Sequence, residues 1–338
     1  MAPTTVIAVD VMSGDRGPAV CVAAAAALAR ERHDLTLILV GAPERIEAEL
    51  RARGSATGTR LQVHPATQVV GMDEHPREAL RRKKDSSMRQ AVELVKSGRA
   101  QACVSAGNTG ALMATGHFVL RSLPGIERPA IMSAIPAEGG HTHMLDLGAN
   151  ATATAEQLLQ FGLMGAVVAA DLNDESRPSV GLLNIGEEDI KGHAVVQEAH
   201  RLLGASGLNY VGFVEGNDIF SGEVAVVVTD GFTGNVALKT MEGLARMIGA
   251  AIREEFSAGP LRRVMAASAW PALSAVRARL DSRRYNGASM VGLNGIVIKS
   301  HGGADEFAFR HAILTAAREA ARGVPSQIAA ALAAQVRH

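Results

Sequence analysis

Short runs of β-branched and other apolar residues recur along this chain, each followed by a polar or glycine-rich turn and then an alanine-rich segment of helix length. This alternation is typical of βαβ units, in which a helix connects two parallel strands. It predicts an α/β fold with a mostly parallel sheet. Strands are expected at 6–9, 35–40, 61–64, 102–105, 131–135, 143–147, 180–184, 210–214, 224–229 and 295–299. Outside the arm described below, helices are expected at 18–31, 43–53, 86–97, 109–120, 154–170, 192–203 and 306–321.

Length and charge limit the classes of protein to which the sequence can belong. The chain has 338 residues, and we expect one large α/β unit over residues 1–338, from which a helical arm at 244–285 protrudes. Lys and Arg together number 34, as do Asp and Glu, so no net charge attracts the whole molecule to nucleic acid. A basic nucleic-acid-binding protein is therefore disfavoured.

The cysteines and the apolar stretches indicate the compartment. Cys21 and Cys103 are the two cysteines, and their spacing fits neither a disulfide framework nor a zinc site. Residues 1–15 contain no Lys or Arg and place Asp10 where an export signal needs an apolar stretch. Charge-free apolar stretches such as 161–170 are much shorter than the roughly 20 residues of a membrane-spanning helix. We expect a cytoplasmic protein that is soluble or lies on a membrane surface.

Several catalytic motifs of known mechanism are absent. No G-x-G-x-x-G follows a predicted strand, and the sequence lacks G-x-x-x-x-G-K-[ST], H-E-x-x-H and G-x-S-x-G. Nicotinamide binding of the Rossmann type, P-loop nucleotide hydrolysis, zinc peptidase and α/β-hydrolase chemistry all lose support. His141 and His143 flank Thr142 at the start of a predicted strand, but no third ligand is evident, so we expect no metal.

Six predicted strands end in polar loops, and each of these loops contains glycine together with Asp, Asn or Ser. In an open parallel sheet, ligands bind beyond the carboxyl ends of the strands. Glycine allows a ligand to approach the backbone, and the helix N-termini that follow such loops favour anions. We expect all six loops on the same edge of the sheet. They occupy 10–15, 105–110, 146–150, 184–188, 215–218 and 229–235.

Lysine is rare in this chain and lies close to such loops. Six of the 34 cationic residues are lysines, and five of them neighbour clusters of Gly, Asp, Asn or Ser. Segment 83–88 offers two ammonium groups and two hydroxyls to a tetrahedral oxyanion. Lys239 lies one helical turn beyond Asn235, so both fit a single ligand. The alternatives are a solvated cation pair before an N-cap serine at 83–88 and an ion pair between Lys191 and the acidic residues at 187–189.

Residues 244–285 follow a different pattern, in which apolar residues recur at helical spacing in two segments joined near 257–260. This arm contains eight arginines, three acidic residues and Trp270, the one tryptophan of the chain, which Pro271 follows. We predict an amphipathic helical hairpin with the aromatic residue at its end. Such a basic hairpin is suited to an anionic membrane or to a second subunit, and different faces can serve both.

Most of these features belong to a longer series of short motifs. They are Asp10-Val11-Met12-x-Gly14-Asp15, 83–88, 105–112, Arg128-Pro129-Ala130, 146–150, 183–188 with Lys191-Gly192, 214–218, 230–239 with Glu242-Gly243, and Lys299-Ser300-His301-Gly302. In this order they resemble the bacterial phosphate acyltransferases of the PlsX family from Asp10 to about residue 311. Ser13 departs from the resemblance, because the family usually has glycine there.

The resemblance implies a Rossmann-like α/β fold related to phosphotransacetylases, a homodimer, no cofactor and peripheral contact with the inner face of the cell membrane. It also implies transfer of a fatty acyl group from acyl carrier protein to inorganic phosphate, which yields acyl phosphate for phospholipid synthesis. Phosphate is already ionised and a thiolate leaves readily, so the protein needs to hold an anion beside a thioester and stabilise the oxyanion. The alternatives are a short-chain phosphotransacetylase that uses acyl-CoA and a membrane scaffold without enzymatic activity.

On this hypothesis the candidate residues take four roles. They are Lys191, Asn235 and Lys239 for neutralising the transition state, Asp85 and Asp230 for orienting those cations, Lys83, Ser86, Ser87, Asn108, Thr109 and Asn150 for binding the phosphate and the acyl thioester, and Arg262, Arg263 and Trp270 for contact with carrier protein or membrane.

Overall fold

The computed structural model describes residues 4–173 and 175–335, and eleven strands within them form one sheet. The strands are β1 (Thr5–Asp10), β2 (Leu35–Gly41), β3 (Leu61–Pro65), β4 (Ala102–Ser105), β5 (Ala130–Ala137), β6 (Gly140–Leu145), β7 (Ser179–Leu183), β8 (Asn209–Val214), β9 (Val226–Val228), β10 (Ala288–Val291) and β11 (Ile296–Lys299). Their order across the sheet is β3-β2-β1-β4-β11-β10-β5-β6-β9-β7-β8.

Helices cover both faces of this sheet, as expected where parallel strands are buried on both sides. They are α1 (Gly17–Glu31), α2 (Pro43–Arg51), α3 (Pro76–Arg82), α4 (Ser87–Lys96), α5 (Thr109–Leu120), α6 (Ala155–Asn173), α7 (Ala194–Gly204), α8 (Gly231–Ser257), α9 (Pro260–Leu280), α10 (Glu306–Arg322) and α11 (Val324–Gln335). Two short 3-10 turns occupy Asp218–Phe220 and Ser282–Tyr285. The predicted α/β class with a large, mostly parallel sheet is confirmed.

The sheet contains two parallel blocks that run in opposite directions. Strands β3, β2, β1, β4 and β11 pair in parallel, and β10 joins β11 to β5 by antiparallel pairing. The β5–β6 hairpin then reverses the direction, so β6, β9, β7 and β8 run opposite to β1. The expectation that six polar loops share one edge is therefore wrong. The loops after β1 and β4 leave one edge, together with the loop after β11, and the loops after β6, β7, β8 and β9 leave the other.

Side-chain caps fix the helices that begin at these strand ends. The side chains of Ser86, Asn108, Asp230 and Asp305 each accept a hydrogen bond from the backbone N–H three residues later. Such caps satisfy N–H groups that have no partner within the helix. They set the start of α4, α5, α8 and α10 beside the strand ends.

Three apolar clusters hold the layers together. One packs α1 and α10 against one face of β1, β4 and β11, and its members Val9, Val104 and Ile298 are fully buried. A second packs α4, α5 and the first turns of α8 against the opposite face, where Cys103 and Val297 lie. The third lies under α6, α7 and α11. The same sheet face therefore carries the beginnings of α4, α5 and α8.

The arm at 244–285 consists of the second half of α8, α9 and the turn at Ser282–Tyr285. The predicted hairpin is present, with its bend at 258–259, but its first helix continues from α8 without a break at 244. Trp270 and Pro271 lie in the middle of α9, so the expectation that the aromatic residue marks the end of the hairpin is wrong. Among the helices of the described residues, none is both long and apolar enough to cross a membrane.

Candidate active site

A row of three buried polar residues ends three neighbouring strands. Asp10, Ser105 and Lys299 are the last residues of β1, β4 and β11, and the strand register places Ser105 opposite both of the others. Residues paired in this way point to the same face of a sheet. The Ser105 hydroxyl donates a 2.6 Å hydrogen bond to the Asp10 carboxylate and accepts one of 3.1 Å from the Gly107 N–H. The row is thus part of a defined hydrogen-bond network.

The loops that follow these three strands are locked together. The Asp15 N–H donates a 2.9 Å hydrogen bond to the carbonyl of Gly302. Gly14 has a φ of +91°, and a Cβ there would lie 2.9 Å from the Ala106 Cβ and 3.1 Å from the Gly302 oxygen. Only glycine combines this backbone conformation with so close an approach. The loops after β1, β4 and β11 therefore form one rigid rim.

Lys299 places a cation inside this rim, where 9% of the residue is exposed. Its Nζ donates hydrogen bonds to the carbonyls of Ser300 and Ala106. The pKa of Lys299 is lowered to about 8, mainly by burial and also by the positive charge of Lys239, while the carboxylates of Asp15 and Asp10 oppose the decrease. The electrostatic effect of Lys239 on Lys299 indicates that α8 brings Lys239 into the neighbourhood of the β11 end.

Segment 83–88 lies beside the same rim. Ser86 caps α4, and Ser87 is fully buried with a hydroxyl that has no hydrogen-bond partner. The methyl group of Met88 packs against Gly107. Lys83 instead donates hydrogen bonds to the Glu74 carboxylate and the Val69 carbonyl, and its bond to Glu74 lowers the pKa of that carboxyl. The structure thus brings Ser86 and Ser87 to the rim, whereas Lys83 holds an adjacent loop.

Two further predicted residues of this region also have structural partners. The Asp85 carboxylate accepts hydrogen bonds from the N–H and hydroxyl of Thr67, which lower its pKa. Asn108 caps α5 through its oxygen and donates from Nδ2 to the carbonyls of Met72 and Glu74. Thr109 is exposed at the first position of α5. Asp85 and Asn108 therefore shape the rim, and Asp85 contacts no cation by hydrogen bond among the described residues.

The second block of strands carries its own cluster. The buried Asp146 carboxylate after β6 accepts hydrogen bonds from the Ile131, Gly148, Ala149 and Asn150 backbone N–H groups and from the Asn150 side chain. Asn150 also donates to the Pro129 carbonyl, and 7% of the residue is exposed. Its amide is thus engaged in holding the loop rather than turned to a substrate.

Helix α8 begins beside this cluster, where Gly231 and Gly234 pack against Asp146 and Asn150. Asp230 caps the helix by accepting from the N–H and hydroxyl of Thr233, so its carboxylate orients the backbone rather than a lysine. Asn235 lies against Gly148, and Lys239, one turn further, pairs with Glu242 at 2.9 Å. Half of the Lys239 side chain is exposed. Asn235 and Lys239 therefore share one face of α8, as the spacing predicts.

Lys191 occupies the loop after β7, with its charge 4.0 Å from Glu188. Its backbone carbonyl accepts hydrogen bonds from the side chains of Asn184 and Gln197. These contacts all lie within the loop and the helix that follows it. Sequence analysis allowed two interpretations of Lys191, a contact with the ligand and an ion pair with the acidic residues at 187–189. The structure shows the ion pair.

Sequence reasoning did not include Lys299, Asp10 or Ser13 among the site residues. Lys299 had a detectable signal, because it is one of the six lysines and ends a predicted strand. Ser13 is buried at 2% exposure beside Gly107, and its hydroxyl has no hydrogen-bond partner. The absence of a partner becomes visible only when the chain is folded.

His141, His143 and Cys103 have apolar or aromatic surroundings rather than a place in a ligand cluster. His143 is buried, which lowers its pKa to about 3, and its ring contacts His141 edge-on. Burial raises the pKa of the Cys103 thiol well above its usual range. Within 4–173 and 175–335, no group of three His, Cys, Asp or Glu side chains is arranged to hold a metal ion.

The α/β fold of this chain has the architecture of phosphotransacetylases. A phosphotransacetylase from Streptococcus pyogenes superposes with a TM-score of 0.67 at 17% identity, and the match covers 94% of each chain. The EutD phosphotransacetylase from Staphylococcus aureus superposes with a TM-score of 0.62 at 14% identity, again over 94% of each chain. At these identities the likeness establishes the fold.

Sequence relatives establish the family. A family model described as "Fatty acid synthesis protein" matches residues 5–327. Phosphate acyltransferases from Alkalilimnicola ehrlichii and Nitrosococcus oceani are 54% and 55% identical to this chain; the matches cover 97% and 96% of it, and 96% of each relative. The chain belongs to the phosphate acyltransferase family and is an acyltransferase.

Proposed function

We propose that this protein transfers a fatty acyl group from acyl carrier protein to inorganic phosphate and thereby supplies acyl phosphate for phosphatidic acid synthesis. The observation that carries the proposal is the 54% identity to phosphate acyltransferases over nearly the whole chain. The site adds the cation of Lys299 and the capped starts of α4 and α5 at one sheet edge. This combination suits a bound oxyanion.

The reaction needs no nucleophile from the protein. A phosphate oxygen attacks the thioester carbonyl carbon, a C–O bond forms, and the carbonyl oxygen becomes an oxyanion in the tetrahedral intermediate. Its collapse breaks the C–S bond, and the thiolate of the carrier protein leaves and takes a proton from solvent. The protein contributes by holding phosphate next to the thioester and by placing hydrogen-bond donors and cations at the developing charge.

Asn235 and Lys239 on α8 are the donors that we assign to the oxyanion, because both occupy one helix face and Lys239 affects Lys299 electrostatically. We assign Lys191 to neutralising the transition state, after its ion pair with Glu188 is exchanged for contact with the substrate anion. That ion pair is largely solvent-exposed, so little free energy opposes its exchange for a substrate anion. Asp230 supports this arrangement by fixing the start of α8.

The arm provides the proposed surface for macromolecular partners. Arg262 and Arg263 on α9 are exposed, as are the neighbouring apolar side chains of Leu261, Val264 and Met265. Acyl carrier protein and anionic lipid are both negatively charged, so basic residues attract either one. We propose that the arm serves peripheral contact with the inner face of the cell membrane, docking of the carrier protein and contact between two subunits of a homodimer in the cytoplasm.

A comparison of acyl donors tests the proposal. The purified protein is incubated with inorganic phosphate and either long-chain acyl carrier protein or acetyl-CoA, and free thiol is measured. Preference for the long-chain carrier supports the proposal. Efficient use of acetyl-CoA with poor use of the carrier identifies a short-chain phosphotransacetylase instead.

A further inference from the structure

Two buried hydroxyls at the rim have no hydrogen-bond partner. They belong to Ser13, in the loop after β1, and Ser87, the first residue of α4, with exposures of 2% and 0%. A buried polar group without a partner destabilises the fold, so native proteins rarely keep one without a reason. Among such reasons is a bound ligand that the hydroxyl contacts.

These hydroxyls belong to segments that meet at one point. Ser13 lies 3.0 Å from the position that a Cβ of Gly107 would occupy, and the Met88 methyl group lies 2.5 Å from the same position. Lys299 Nζ lies 3.5 Å from the carbonyl of the preceding residue, Ala106. The loop after β1, the start of α4 and the end of β11 therefore converge on Ala106 and Gly107.

The Lys299 ammonium also lacks a carboxylate partner. The carboxylates of Asp15 and Asp10 act on it electrostatically, but Asp10 accepts its hydrogen bonds from the Ser105 hydroxyl on one oxygen and from the Met12 N–H on the other. Lys299 itself donates to carbonyl oxygens, and the part of the chain that the structure describes contains no ion pair for it. A buried cation whose carboxylate neighbours make no ion pair with it is costly. An anion bound at the rim would compensate it.

We propose that Lys299 and the hydroxyls of Ser13 and Ser87 form the phosphate subsite of the acyl transfer site. Lys299 supplies the charge, and the two hydroxyls donate hydrogen bonds to phosphate oxygens. Gly107 has no side chain, so Ser13 and Met88 can approach its backbone closely. This assignment rests on the proposed function, and it moves the phosphate from the predicted Lys83, which holds Glu74, to the end of β11.

Phosphate binding to variants of the full chain tests the assignment. Ser13→Ala and Ser87→Ala each remove one hydroxyl, and Lys299→Met removes the charge at similar volume. Lys96→Met, at the exposed end of α4, is the matched control. The probe is inorganic phosphate, titrated calorimetrically and varied in the acyl transfer assay, and thermal unfolding is recorded for every variant.

The serine variants distinguish a ligand role from a structural one. If the hydroxyls only pack, their removal leaves phosphate affinity unchanged and makes the fold equally or more stable, because each is unpartnered. The proposal instead predicts that each serine variant weakens phosphate binding by about 10-fold or more, since hydrogen bonds to charged groups have this strength. Folding stability and the KM for the acyl donor stay near the values of the unmodified protein.

Lys299→Met is expected to weaken phosphate binding more than either serine variant, and Lys96→Met is expected to leave it unchanged. Wild-type affinity in Lys299→Met and in both serine variants overturns the subsite. A further outcome is that the substitutions weaken phosphate binding as predicted but the unmodified protein forms no acyl phosphate. In that case the phosphate subsite is supported and the proposed function is wrong. The serine variants keep the test decisive if Lys299→Met does not fold.

Discussion

Ser105 donates a 2.6 Å hydrogen bond to Asp10 across the β1–β4 pair, and this bond fixes the carboxylate at the end of β1. Lys299 stands beside Ser105 in the register of the next strand, β11. In the proposed phosphate subsite this buried ammonium contacts the ligand, so the protonation state of Lys299 affects phosphate binding.

Phosphate binding should depend on pH through Lys299. Burial lowers the pKa of Lys299 to about 8, so its ammonium is charged below that value and loses its proton as the pH rises through it. Inorganic phosphate stays dianionic over this range. We expect the KM for phosphate to increase above about pH 8, measured from initial rates at fixed acyl donor. A KM that stays constant to pH 9.5 or so would remove Lys299 from phosphate binding.

Lys239 should shift that profile. Its positive charge contributes to the low pKa of Lys299, so Lys239→Gln is expected to move the rise in phosphate KM to higher pH. The measurement is the same pH series, normalised to the lower activity of the variant. Lys84→Gln, on an exposed lysine of segment 83–88, serves as the control. An identical pH midpoint in Lys239→Gln and Lys84→Gln would contradict the coupling.

Replacement of the two lysines assigned to the transition state provides the next prediction. Lys191→Ala and Lys239→Ala should each lower turnover by about 100-fold or more, the loss typical of a removed oxyanion donor. Both lysines lie in exposed ion pairs, so the free energy of unfolding should change by less than roughly 1 kcal/mol. Rates at saturating substrate and urea unfolding separate the two effects. Full turnover with an unchanged phosphate dependence rules out the role of whichever lysine was replaced.

Glu319 predicts a pH dependence of stability. This glutamate on α10 is 1% exposed and accepts a 2.9 Å hydrogen bond from Ser289, and burial raises its pKa from 4.5 to about 7. The folded state therefore favours the protonated carboxyl. Its contribution is fully present below about pH 4.5 and is lost as the pH rises through about 7, a difference of about 3 kcal/mol.

Glu319→Gln cannot ionise and should remove this dependence. We expect the variant to gain stability relative to the unmodified protein between pH 5 and pH 8 or so, as measured by urea unfolding at each pH. Glu47→Gln, on the exposed face of α2, is the matched control and should follow the unmodified protein. Parallel pH profiles for Glu319→Gln and the unmodified protein would show that Glu319 stays ionised in the fold.

Charge reversal on the arm tests its role. Arg262→Glu combined with Arg263→Glu should weaken binding to acyl carrier protein, to vesicles containing anionic lipid, or to both, and the loss should diminish at high salt. Co-sedimentation and titration measure the two interactions. Arg45→Glu combined with Arg99→Glu, two exposed arginines elsewhere, controls for net charge. Unchanged binding of both partners would exclude α9 from either function.

Local elements of the fold could be predicted from the sequence where the pattern was strong. The predicted strand 102–105 and helix 109–120 coincide with β4 and α5. Strand β10 was missed because its four residues, Ala288–Val291, carry too short an apolar run, and α3 because its seven residues are mostly charged. The reversal of strand direction at the β5–β6 hairpin was missed because a strand pattern does not show which way the strand runs. All six loops were therefore expected on the same edge of the sheet.

The candidate site could be predicted in outline, because glycines, hydroxyls and lysines at strand ends are visible in the sequence. The role of each side chain could not, since it depends on distant partners. Asn108 and Asn150 were expected to face substrate, yet they bind the Met72 and Pro129 carbonyls, which only the folded chain brings near. Conversely, Ser13 was not expected in the site, because only the folded structure shows that its hydroxyl is buried without a hydrogen-bond partner.

The central claim is that phosphate is the acyl acceptor. The most direct measurement mixes the protein with long-chain acyl carrier protein and radiolabelled inorganic phosphate and follows label in a lipid-soluble product that hydroxylamine destroys. We predict labelled product in equal amount to the free carrier thiol, and none without protein or with Lys239→Ala at the same time point. Release of thiol without labelled product would show that water or another acceptor takes the acyl group and would contradict the account.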